Sequence, residues 1–65
     1  MKVYIEKDNR SLNIEHNKIM CRELLIELKI NSSAVIVVKN NEVILDDEII
    51  ENKDDIKILS VVSGG

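Results

Sequence analysis

The apolar residues of this chain change period twice, and that pattern limits what it can fold into more than any other feature. In "MKVYIEK" they alternate: Val3 and Ile5 point one way, Lys2, Tyr4 and Glu6 the other. Alternation of this kind describes a strand buried on one face. "SLNIE" repeats it with Leu12 and Ile14, and the polar "KDNR" (Lys7–Arg10) between them reads as the turn of a hairpin. In "IMCRELLIELK" the spacing becomes i, i+3, i+4, i+7 at Cys21, Leu24, Leu25 and Leu28, the stripe of one amphipathic helix. Arg22, Glu23, Glu27 and Lys29 take its wet side. Asn17 is a candidate N-cap one turn earlier, and "NSS" (Asn31–Ser33) marks the exit.

Beyond the helix, "AVIVVK" (Ala34–Lys39) is continuous and β-branched, the signature of a central strand with both faces covered or partly covered. Asn40-Asn41 suits a turn, because Asn tolerates left-handed backbone. A short strand around Val43–Leu45 follows. The acidic connection "DDEIIENKDD" is read as solvated, with Ile49 and Ile50 tucked under the sheet and room for a short helical turn before the last strand. That strand, Ile56–Val62, puts Ile56 and Ile58 on one side and Lys57 and Leu59 on the other. The order is ββαββ, an α+β fold with one helix packed on one face of a mixed sheet. It forms one domain over residues 1–61, followed by a tail over 62–65. The expected core is Val3, Ile5, Leu12, Ile14, Leu24, Leu28, Val35, Val37, Ile44, Ile56 and Ile58.

Composition removes several classes of function. At 65 residues the chain is near the lower limit for folding without a disulfide or metal, and Tyr4 is its sole aromatic, so Ile, Leu and Val must build the core. A net charge of −3 denies it the basic face that nucleic acid requires, and no aromatic platform is available for single strands. One cysteine (Cys21) and one histidine (His16) cannot form a structural zinc site or an internal disulfide. Cys21 lies on the helix stripe and is read as a small core residue, His16 as part of a solvated loop. No nucleophile–base pair or metal cluster can be assembled, so the chain is not expected to be an enzyme or to bind a cofactor of its own. No apolar run approaches the ~20 residues of a membrane span, and the start lacks the apolar stretch of a signal peptide. A soluble, cytoplasmic protein is expected, with no membrane or nucleic-acid partner.

The two glycines of the sequence, Gly64 and Gly65, both stand at its end, in "SVVSGG". Together with "RELLIEL" (Arg22–Leu28), "VIVVKNNEVI" (Val35–Ile44) and "DDIKILSVVSGG" (Asp54–Gly65), they make the whole chain resemble the ThiS/MoaD sulfur carriers and, more distantly, ubiquitin. The resemblance implies the β-grasp fold. The length and ending are more similar to ThiS than to MoaD, whose members tend to carry prolines before the diglycine. Asn40-Asn41 stands where the family often has Asn-Gly, and Lys53-Asp54-Asp55 where it often has Asp-Gly-Asp. Archaeal ubiquitin-like modifiers share the same pattern.

What the resemblance implies chemically is a carboxylate made reactive by a partner. A ubiquitin-activating-like adenylating enzyme uses ATP to convert the Gly65 carboxylate to an acyl-adenylate. Either sulfur then displaces AMP to give a thiocarboxylate, passed from a sulfur donor to a sulfur-accepting synthase for thiamine, molybdopterin or a tRNA base, or an amine displaces it and the chain becomes a protein modifier. A side chain at Gly65 would crowd the attacking nucleophile, and Gly64 lets the last peptide bond adopt whatever conformation a narrow channel demands. Residues 62–65 could reach roughly 13 Å at about 3.3 Å each. The docking surface implied is the open sheet face, Tyr4, Ile36, Val38 and Leu59, with Val61 and Val62 at the tail base. The free chain is expected to be a monomer. The acidic run Asp46–Asp55 is either a solvated connection, the reading favoured here, or a surface that meets basic groups on the activating enzyme.

Overall fold

The computed structural model describes residues 1–61. Strands β1 (Lys2–Ile5) and β2 (Arg10–Asn13) form the N-terminal hairpin, and β3 (Lys18–Met20) leads directly into helix α1 (Cys21–Glu27). A 3₁₀ turn (Ser32–Ala34) then opens β4 (Val35–Lys39), followed by β5 (Glu42–Ile44), β6 (Ile49–Glu51) and β7 (Asp55–Ser60). The main sheet has the order β2-β1-β7-β4-β5, mixed because β1 and β7 run parallel while the other neighbours are antiparallel. The expected α+β, β-grasp frame is present, with the last strand at the centre of the sheet and the helix across one face.

Strand alternation decides which residues meet the helix. Leu12, Val3 and Ile56 form one cross-strand row, and Ile5, Ile58, Val37 and Ile44 the next. Leu24, Leu25 and Cys21 from the helix close on these rows, so Val3, Ile5, Val37, Ile56 and Ile58 are buried while Leu12, Ile14, Leu28, Val35 and Ile44 pack at the margin. Every residue of the expected core therefore lies in it or against it. Met1 and Ile50 are buried there too.

The differences from expectation all concern short-range signals. β4 is interior but not central; its helix side is covered and its other side only partly, with Val38 half-buried and Ile36 exposed. Residues 18–20 are strand, paired antiparallel with β6 in a second, two-stranded sheet, so Asn17 does not cap the helix. Met20 occupies the N-cap with no side-chain bond. The orphan amides that every helix start leaves are instead met by backbone, Cys21 N–H donating to the Glu48 carbonyl and Arg22 N–H to that of Asp46, each at 2.8 Å. The acidic connection is thus the cap, and its middle is β6 rather than a helical turn. Of its two isoleucines only Ile50 is buried; Ile49 is 46% exposed. β5 begins at Glu42 rather than Val43, and β7 runs Asp55–Ser60, starting before the expected Ile56 and ending before Val61, while Val62 lies outside the described residues.

The turns work without glycine. Asn40 (φ 51°) and Asn41 (φ 71°) form a two-residue hairpin loop of the kind that needs positive φ at both positions. The helix ends in a Schellman arrangement, Lys29 N–H to the Ile26 carbonyl and Ile30 N–H to that of Leu25, which places Lys29 at φ 60°. A left-handed lysine costs roughly 1 kcal/mol relative to glycine.

A buried carboxylate ties two of these turns together. Asp54 Oδ2 accepts from the Glu51 N–H at 2.8 Å and Oδ1 from Asn40 Nδ2 at 3.0 Å, while Asn40 Oδ1 accepts from the Asp55 N–H at 3.0 Å. Asp54 is therefore not part of a solvated run. The Glu51 amide, then the Asn40 amide, hold its carboxyl below the ordinary carboxylate value, against the opposing effect of burial. A depressed folded value stabilises the fold fully above the unfolded value of about 3.9 and is lost as pH falls below it toward the folded one. Asp54→Asn is accordingly expected to cost on the order of 1 kcal/mol at neutral pH and to flatten the acid limb of stability. Melting curves at pH 7 and pH 3 check this: the gap between wild type and variant should narrow at the lower pH.

Candidate functional site

The face of the sheet opposite the helix carries the second set of alternating residues. Ser11, Tyr4, Lys57, Val38 and Val43 lie side by side in one row across β2, β1, β7, β4 and β5, and Leu59 faces Ile36 in the next. Tyr4, Val38 and Leu59 are half-buried by their neighbours, and Ile36 is 38% exposed. The Tyr4 hydroxyl donates to Asn9 Oδ1 at 2.8 Å, which pins the ring against the sheet. Lys57 stands exposed between Tyr4 and Val38, the one charge in that row.

The structure thus brings Tyr4, Val38, Ile36 and Leu59 onto one surface. Val61 follows beyond β7, exposed, its N–H bonded to the Ala34 carbonyl at 3.1 Å. That bond anchors the last described residue beside the start of β4. Val62, Gly64 and Gly65 lie outside the described residues. Three residues of this face stand beside the expected docking residues: Ser11, Val43 and Lys57. A two-residue turn at Asn40-Asn41 sets Val43 opposite Val38, so the register carried a signal for it; Lys57 followed from its place between Ile56 and Ile58.

Other chemically capable groups do not gather into a site. Cys21 is fully buried, and burial followed by the nearby Asp46 and Glu48 carboxylates pushes its thiol above the ordinary value. A thiol so placed is a core residue, not a nucleophile. His16 is not merely solvated: its Nε2 lies 3.1 Å from both carboxylate oxygens of Glu27, tying the loop before β3 to the end of the helix. Among the described residues no three of His, Cys, Asp and Glu come together as a metal-holding group. No helix among them is long and apolar enough to cross a membrane.

The fold has counterparts among known proteins. The model of the ThiS family matches residues 2–65. No curated protein sequence matches the chain. The crystal structure of the thiamine biosynthesis protein (ThiS) from Geobacter metallireducens is similar over 100% of both chains, with a TM-score of 0.68 at 22% identity. An NMR solution structure of a thiamine biosynthesis protein from the same organism is similar over 100% of this chain and 88% of that one, with a TM-score of 0.61 at 21% identity. These likenesses establish the fold, and the family match extends through the diglycine. The chain belongs to the ThiS family.

Proposed function

We propose that this chain is a sulfur carrier in thiamine biosynthesis, a substrate of its partner enzymes rather than a catalyst. The observation that carries the reading is the family match running through Gly64 and Gly65. A free carboxylate has no good leaving group and does not acylate a nucleophile. In the proposed sequence the Gly65 carboxylate attacks the α-phosphate of ATP bound to an adenylating enzyme, and pyrophosphate leaves. Hydrosulfide from the sulfur donor then attacks the acyl carbon, the bond from that carbon to the AMP oxygen breaks and AMP leaves, so that the carboxylate ends as a thiocarboxylate. That sulfur is passed to an accepting synthase. Mass spectrometry of the protein from its native host tests the reading. One oxygen replaced by sulfur at the C-terminal glycine is the expected result; branched Gly-Gly remnants on lysines of other proteins would make the chain a protein modifier instead.

The docking surface in this reading is Tyr4, Ile36, Val38 and Leu59, with Val61 and Val62 at its edge. Apolar side chains gathered on one sheet face, with Tyr4, Val38 and Leu59 half-buried and Ile36 exposed, support it, as does the position of Val61 just beyond β7. Val38→Glu tests it with little risk to the fold, because Val38 sits directly opposite Lys57 and a cross-strand Glu–Lys pair is favourable. The variant should keep its melting temperature within a few degrees. Its affinity for the adenylating enzyme should fall more than tenfold, about 1.4 kcal/mol or more. Undiminished activation of the folded variant would mean that the enzyme reads another surface.

A further inference from the structure

The two edges of the main sheet are built differently. At β2 the edge residues are Arg10, Ser11, Leu12 and Asn13, and the only apolar one leans into the core. At β5 the chain reads Glu42, Val43, Ile44 and then Leu45, with Val43 69% and Leu45 71% exposed. Natural edges are blunted by short strands, charged side chains, proline or a bulge; β5 is short and begins with Glu42, but it carries no lysine or proline and its register against β4 is unbroken. Ile36, on the neighbouring strand, extends the apolar surface inward.

The backbone at this edge is presented for pairing. Because Asn40-Asn41 is a two-residue turn, the flanking pair Lys39–Glu42 exchanges the hydrogen bonds and Val38–Val43 is the non-bonded pair. The Val43 N–H and C=O therefore point to the free edge. Around them stand the exposed Glu42, Asp46, Asp47 and Glu48, offset in part by Arg22, whose Nε lies 3.9 Å from Asp46, and by Lys39, the cross-strand partner of Glu42.

We propose that β5 binds an extended segment of a partner protein as an added strand, with apolar residues at alternate positions and Lys or Arg at its flanks. Strand addition takes its affinity from main-chain hydrogen bonds and its choice of partner from side chains at alternate positions. The carboxylates at both ends of β5 select basic flanks. A second copy of this chain fits poorly: antiparallel pairing centred on Ile44 sets Glu42 opposite Asp46, and pairing centred on Val43 sets Leu45 against Asn41. The proposal rests on the edge alone and not on the chemistry of the tail.

The test is selection from a displayed library of random twelve-residue peptides on the intact protein, with the best peptide titrated into isotope-labelled protein by NMR. Basic-flanked peptides with alternating apolar residues should emerge, shifting the amides of residues 42–46. Binding should fall at least tenfold in Val43→Pro, which removes the outward N–H without touching a β4 bond. Should that variant fold badly, the surface double variant Asp47→Lys/Glu48→Lys should show the same loss. Acidic or no selected peptides, shifts elsewhere, or binding indifferent to these variants would overturn the proposal. So would a concentration-dependent dimer by sedimentation that Val43→Pro abolishes, since the occupant would then be a second copy. None of these outcomes involves ATP or Gly65, so failure here leaves the sulfur-carrier reading untouched.

Discussion

Leu24→Ala is expected to remove most of the stability of this domain, lowering its melting temperature by roughly 10–30 °C. Leu24 is fully buried, in the helix stripe that closes on Val3, Ile56 and Ile58. Truncating a buried leucine costs about 2–5 kcal/mol, through the lost transfer of its methyls and the cavity they leave. A chain of 65 residues has only about 3–10 kcal/mol in total at ordinary per-residue stability. The companion change is Ile26→Ala, two residues along the same helix but 68% exposed; it should move stability by no more than about 0.5 kcal/mol. Thermal unfolding of the two variants side by side checks the phase of the helix. Equal losses, or a larger loss at Ile26, would mean that the helix packs by another stripe.

That phase was legible in the sequence because four apolar residues over two turns leave no alternative face. The same holds for β1 and β7, where Val3, Ile5, Ile56 and Ile58 point inward and Tyr4, Lys57 and Leu59 outward. β3 and β6 were not legible. Each is three residues long, too short for alternation to register, and Ile19 and Met20 merge into the helical pattern that follows. Their pairing also joins residues about thirty apart in sequence, a contact that no local period encodes. The helix start was hidden for a related reason: its cap is the backbone of Asp46 and Glu48, and carbonyl oxygens leave no trace in residue type. Lys29 at φ 60° hides the helix end, since a glycine there would have announced it. The open face could be read from strand parity alone, whereas Val43 needed the register that the Asn40-Asn41 turn imposes.

Removing Gly65 is expected to abolish ATP-dependent activation while leaving the melting temperature nearly unchanged. Among the described residues the buried core runs from Met1 to Ile58, and the deletion removes none of these. The shortened chain still ends in a glycine, Gly64, and its terminal carboxylate has the same intrinsic reactivity as before. What changes is position. In the proposed docking through Tyr4, Ile36, Val38 and Leu59, losing one residue would withdraw the carboxylate by up to about 3.3–3.6 Å. A displacement of about 1 Å from an attacking geometry can already cost a hundredfold, and the tail would have to drag an apolar interface out of register to recover it. Gly65→Ala separates reach from crowding: it keeps the length, so adenylation should survive in part while the sulfur-transfer step slows. Both are read by ATP–pyrophosphate exchange with the adenylating enzyme, followed by mass analysis of the product. Exchange at the normal rate by the truncated protein would show that Gly65 is not the residue that reacts.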